Sequence, residues 1–252
     1  MTSIYNHYSI NTGFAVPQTN FKGVSTPQYI PEVSQNNDGY VTNPLYENFG
    51  TKAEIEATAK TNPRIGEILN EYNLPLKVND KELENLKNGH LKGTRITAAK
   101  TYSSLPAELK QEVNPKDLQE AAMFHDYGKV LIPDKILNKN GELSDTEWAI
   151  MRQHSELGAE LLKNKNLSPR TLELIKFHHQ NKKGIGYPSV NSDYEYGLDS
   201  EILAVADKYE ALMEERSYKG AMTKEQALAI IEEDVKQGLI SQEVFDALKK
   251  AV

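Results

Sequence analysis

From Thr51 to the C-terminus, apolar residues recur at the i, i+3, i+4, i+7 spacing of amphipathic helices, and no alternating stretch is long enough for a sheet strand. Several helix starts are signalled directly. Asn114-Pro115 and Ser168-Pro169 each place a capping residue before a proline at the first helical position. Ser144 with Glu147 forms a capping box, with Leu143 and Trp148 spaced as a hydrophobic staple, and Thr223 with Gln226 forms a second box. Gly238 stands where that last helix should stop, and Ser241 opens a short final one. The pattern predicts one all-α domain from about residue 52 to 250. Residues 1–50 differ. They are rich in Asn, Ser, Thr, Tyr, Gly and Pro without a sustained period, and read as a disordered or loosely packed tail that the fold can lose.

Composition narrows the chemistry. The net charge of −7 argues against broad binding to a nucleic-acid polymer, so any phosphate-bearing ligand must be met by local cations. The chain has no cysteine, which excludes disulfides, thiolate metal sites and cysteine nucleophiles. A metal site here must therefore use imidazole and carboxylate. No apolar run approaches a membrane span, and the first residues lack the basic and apolar regions of a secretory signal, so the expected location is cytoplasmic.

The six histidines are His7, His90, His125, His154, His178 and His179. His7 falls in the tail. His125 follows Leu118, Ala121 and Ala122 at i+7, i+4 and i+3, which puts it on a core-facing stripe. Asp126 comes next, and Gly128 would let the chain turn away after the pair. His154 shares a face with Ile150, Met151, Leu157 and Leu161 on one long helix, and His178-His179 end the helix that starts at Pro169. Asp207 lies among Leu203, Ala204 and Ala211, a carboxylate in an apolar stripe. Taken singly, each of these residues reads as a hydrogen-bonded core residue. Their recurrence in one domain is better explained by a shared cation, because buried imidazoles and carboxylates without partners are costly and both are natural metal ligands.

The segments HDYGKVLIPDKILNKNGELSDTEWAIMRQHSELGAELL, HHQNKKGIGYP and ILAVADKYEALMEERSYKGAM resemble the HD-GYP branch of the HD-domain phosphohydrolases, over roughly His90 to Met222. The resemblance implies a helical bundle around a metal centre that hydrolyses cyclic di-GMP or a related cyclic dinucleotide. It further implies His90, His125, Asp126, His154, His178, His179 and Asp207 as metal ligands, with Asp126 as the bridge. Lys129 would touch the scissile phosphate, and Arg216 and Lys219 would bind substrate phosphates. Gly186-Tyr187-Pro188 is the GYP element, and Tyr187 either stacks on a base or packs its loop. His90 has the surface-histidine alternative, Lys129 that of a solvated lysine, and Arg216 that of an ion pair with Glu214 or Glu215.

The chain departs from the family pattern in two places. Leu86 occupies the position of the glutamate that supports a third metal, so two cations are expected. Gln180 and Lys183 replace two acids of HHExxDGxGYP, which bears on the substrate and on the conformation of the loop. A His and carboxylate set without thiolate suits Fe or Mn, and Zn less well. Such a pair of divalent ions activates water and offsets phosphate charge. The expected function is a metal-dependent phosphodiesterase. The alternative is a non-catalytic signalling module that keeps the fold and binds a nucleotide, or a protein partner through the GYP loop.

Overall fold

The computed structural model describes residues 49–87, 92–190, 194–214 and 222–252. Its helices, in chain order, are α1 (Lys52–Thr61), α2 (Pro63–Glu71), α3 (Asp80–Lys87), α4 (Lys92–Ser104), α5 (Ala107–Lys110) and α6 (Pro115–Phe124). A 3-10 turn, Tyr127–Leu131, precedes α7 (Asp134–Leu137), α8 (Asp145–Arg152), α9 (His154–Leu162) and α10 (Pro169–Phe177). Then follow α11 (Leu198–Met213), α12 (Lys224–Lys236) and α13 (Gln242–Ala251). Among the described residues the only β-type pairing is an isolated bridge between His179 and Tyr187, so the all-α expectation holds.

The expected caps form. Asn114 and Ser168 accept hydrogen bonds from backbone N–H groups in the first turns of α6 and α10, and both capping boxes close, at Ser144 and at Thr223. At the end of α12, Gly238 takes a left-handed φ of 69°. The Gly238 N–H then reaches the Val235 carbonyl and the Leu239 N–H that of Asp234, the paired bonds of a Schellman stop.

One helix differs from expectation. The run carrying His154 is broken into α8 and α9 at Gln153, with neither proline nor glycine there. Gln153 donates its backbone N–H to Ile150, a tightened three-residue turn. Its side-chain amide bonds Ala149 and the Tyr72 hydroxyl. The break sets His154 at the head of α9.

Six helices carry the centre of the molecule. α4 packs against α6, α11 and α13, α10 packs against α6 and α9, and the 3-10 turn lies along α9. Leu118, Phe124, Leu157, Ile175, Leu203 and Phe245 are buried between them. The buried Glu156 fastens α2 and α10 onto α9, because Arg64 meets both its oxygens at 3.2 Å and Lys176 meets one at 2.9 Å. Among the described residues no helix is long and apolar enough to cross a membrane.

Phe49, inside the stretch that composition assigns to the tail, is fully buried. Its ring meets Phe124 at 4.9 Å and Tyr127 at 5.6 Å between centroids, and the Tyr127 hydroxyl donates to the Phe49 carbonyl. The packed region therefore starts before residue 51. Phe49→Ala should lose about 3–5 kcal/mol of stability through the cavity it leaves. Denaturant unfolding checks this, and a loss below about 1 kcal/mol would show that the ring contributes no core packing.

Candidate metal centre

Three histidines are presented in one way. His125 caps α6, His178 caps α10 and His154 starts α9. In each, Nδ1 meets the carbonyl three residues back: Ala122 at 3.0 Å, Met151 at 2.7 Å and Ile175 at 2.7 Å. Carbonyls near a helix end lack helical partners. An imidazole that donates Nδ1–H to one of them must turn the Nε2 lone pair outward, as a metal ligand requires.

Those Nε2 atoms converge. His125, Asp126 and Asp207 form one group of candidate ligand atoms lying within 4.8 Å of one another, and His154, His178 and His179 form a second. Asp126 stands between them. Its Oδ1 lies 3.4 Å from His154 Nε2, while its Oδ2 lies 3.5 Å from His125 Nε2 and 2.6 Å from Lys129 Nζ. Asp207 approaches both groups too, at 3.3 Å from His125 Nε2 and 4.0 Å from His179 Nδ1. Within the second group, His154 Nε2 lies 3.3 Å from His178 Nε2 and 3.2 Å from His179 Nε2. The carboxylate of α11 thus reaches the His-Asp pair that ends α6.

The local sequence explains this proximity. Gly128 does not have a left-handed φ, so the turn-away expected of it is not its role. A Cβ at Gly128 would strike the backbone of His154 and Gly158 instead. The absence of a side chain lets the 3-10 turn, with Asp126 before it and Lys129 on it, lie directly on α9. Gly186 acts similarly beside the backbone of His179 and Gln180. That contact seats the next residue, Tyr187, over His179 with ring centroids 4.4 Å apart and planes 28° apart.

The charges fit divalent cations. Burial opposes ionisation of Asp126, but Lys129 and His125 outweigh it and hold its pKa well below the usual carboxylate range. Asp207 is likewise held low, mainly by His125, against the effect of burial. Burial also lowers the His125 pKa, but Asp126 and Asp207 together raise it to about 10, so the metal-free ring keeps a proton between two carboxylates. Burial brings His154 to about 4 and His178 to about 3, and His179 is driven well below its ordinary value. Neutral imidazoles facing one another nitrogen to nitrogen, beside two carboxylates, are a donor set suited to divalent ions, and the proton held on His125 is the one a cation would displace. A separate open groove of about 430 Å³, lined by residues such as Thr58, Arg64, Glu67 and Lys163, contains none of them.

Of the ligands named from sequence, His125, Asp126, His154, His178, His179 and Asp207 come together, with Lys129 on Asp126 and Tyr187 on His179. His90, Arg216 and Lys219 lie outside the described residues. Leu86 is fully buried in the apolar core. Sequence reasoning missed Arg152, whose guanidinium carbon stands 5.4 Å from the Tyr187 ring centroid. It also missed the contacts of Gln180 with the GYP loop, for which the Gln-for-Glu exchange was the available signal.

Fold and site together define an all-helical protein with a histidine and aspartate cluster suited to metal. The HD domain family model matches residues 77–244, and the chain belongs to that family. It is 41% identical over 138 residues to a 3'3'-cGAMP-specific phosphodiesterase of Vibrio cholerae, covering 54% of this chain and 29% of that protein. It is 38% identical over 141 residues to a cyclic di-GMP phosphodiesterase of Thermotoga maritima, covering 55% of this chain and 38% of that protein. The chain thus spans well under half of the length of these relatives. A solved structure, the HD domain of the L. monocytogenes phosphodiesterase PgpH, matches 65% of this chain and 89% of its own, with a TM-score of 0.46 and 16% identity.

Proposed function

We propose that this chain is a metal-dependent phosphodiesterase that hydrolyses a cyclic dinucleotide, cyclic di-GMP or a close relative. The observation that carries the reading is the position of Asp126, one oxygen toward His154 and the other toward His125. His125, Asp126 and Asp207 would hold one cation, and His154, His178 and His179, sharing Asp126, the other. His90 is proposed to complete the set, and Fe or Mn suits these ligands best. When bound, the two ions supply activated water and compensation for phosphate charge.

The protein's own groups do the rest. The Nδ1 bonds to Ala122, Met151 and Ile175 fix three rings before anything binds, so little ordering remains to be done at the moment of binding. Lys129 brings a positive charge to the same carboxylate and would face the non-bridging oxygens of the scissile phosphate. Arg216 and Lys219 are proposed to hold the substrate's phosphates, and Tyr187 to line the mouth of the site. The relatives' activities support the choice of substrate class.

Protein purified without oxygen and loaded with Fe²⁺ or Mn²⁺ should hold about two metals per chain and cleave cyclic di-GMP or 3'3'-cGAMP. A reproducible third equivalent would contradict the assignment built on Leu86. Stable loading with two metals and no turnover of any cyclic dinucleotide or simpler diester would replace the enzyme with a binding module.

A further inference from the structure

Gln180 is almost fully buried, at 2% exposure, beside His179. Both ends of its amide are used. Nε2 donates to the Pro188 carbonyl at 2.5 Å, and Oε1 accepts from the Gly186 N–H at 2.9 Å. These bonds hold the residues on either side of Tyr187. The base of the loop is fixed independently, by Lys182 N–H on the Leu239 carbonyl at 3.3 Å and Gly184 N–H on the Asn181 carbonyl at 2.9 Å. A carboxylate at this place would have acceptors only and would oppose the Pro188 carbonyl, whereas an amide of the same shape supplies one donor and one acceptor.

His179 differs from the other clustered rings. His125, His154 and His178 are each oriented by a backbone carbonyl at Nδ1. Among the described residues His179 has no such bond. Its Nδ1 lies 4.0 Å from Asp207, and its plane is matched by Tyr187 stacked at 4.4 Å. Tyr187 in turn lies beneath the Arg152 guanidinium.

We propose that Gln180 is a positioning residue for His179: it latches the GYP loop so that Tyr187 sets the imidazole plane that a metal meets. The inference rests on the metal reading above. Gln180 touches neither substrate nor cation and acts through the loop. The exchange of Glu for Gln is then what closes this loop without a charge.

The test is titration of the metal-free 252-residue chain with Co²⁺ alone, followed by visible absorption. Gln180→Met keeps length and burial but loses both hydrogen bonds. Gln180→Glu keeps the shape but loses the donor, and Tyr187→Leu removes the stacked ring. Each should weaken at least one Co²⁺ site about tenfold, in the range lost with an orienting partner of a metal ligand. Each should also change the Co²⁺ spectrum while the thermal transition stays near that of wild type. Wild-type affinity and spectrum in the Gln180 variants would overturn the proposal. So would a normal Co²⁺ site in Tyr187→Leu, which also decides the matter if Gln180→Met does not fold. A wild-type chain that takes up no Co²⁺ removes the metal reading and the latch with it, whereas normal wild-type uptake with unaffected variants removes the latch alone.

Discussion

Asp126→Ala should abolish hydrolysis and metal loading together, while Lys129→Ala should keep its metals and lose turnover. The two side chains lie 2.6 Å apart, so proximity alone does not separate them; their charges do. Asp126 gives one oxygen to each donor group. Without it, one group keeps His125 and Asp207, the other keeps only imidazoles, and the proposed cation sites lose the carboxylate that approaches both most closely, leaving Asp207 at 4.0 Å from His179. Repulsion between the two ions then opposes double occupancy. Lys129 has the opposite effect on metal. Its ammonium competes for Asp126, so removing it leaves the carboxylate more available to cations. On the proposed mechanism, Lys129→Ala would lose a positive charge beside the phosphate as charge develops there, a loss of about 100-fold or more in kcat. Paired measurement of bound metal and of cyclic di-GMP turnover checks both variants. Retention of two metals and most activity by Asp126→Ala would remove the bimetallic mechanism, and loss of metal from Lys129→Ala would move that lysine from substrate to structure.

Much of this site was legible because its signals are local. The caps at Asn114, Ser144, Ser168 and Thr223 depend on hydrogen bonds spanning two or three residues. The stripe Leu118, Ala121, Ala122, His125 depends only on helical period, and those residues are buried together. Convergence of the six candidate ligands on one another was carried by the order of motifs, which periodicity alone does not supply. The remainder was hidden by distance along the chain. Phe49 is one of several aromatics in a polar stretch without helical period, and the hydroxyl that holds it lies 78 residues away. The break at Gln153 involves Tyr72, 81 residues earlier. Gly128 was recognised as significant, but a glycine required by a neighbouring backbone looks the same in sequence as one required by a turn.

That distinction gives the second large effect. Gly128→Ala should cost about 3 kcal/mol or more of stability and lower turnover at least 100-fold. An ordinary core substitution that adds a methyl group is absorbed by side chains moving aside. Here the atoms in the way are the carbonyl of His154 and the amide of Gly158, both backbone and both within α9. Gly158 is itself seated against Gly128, so the contact is tight from both sides. Relief requires the 3-10 turn to lift from α9. That carries Asp126 and Lys129, which sit on the turn or next to it, away from His154 at the head of the helix. The 3.4 Å approach of Asp126 to His154 links the two donor groups, so a displacement of about an ångström there acts on metal and substrate positions together. Gly66→Ala is the matched control. It lies within α2, nothing stands within 4 Å of its Cβ, and alanine there should raise stability by up to about 1 kcal/mol through helix propensity. Denaturant unfolding, metal content and turnover would be measured for both variants. If Gly128→Ala matches wild type in all three, the close approach of the turn to α9 is not what places Asp126.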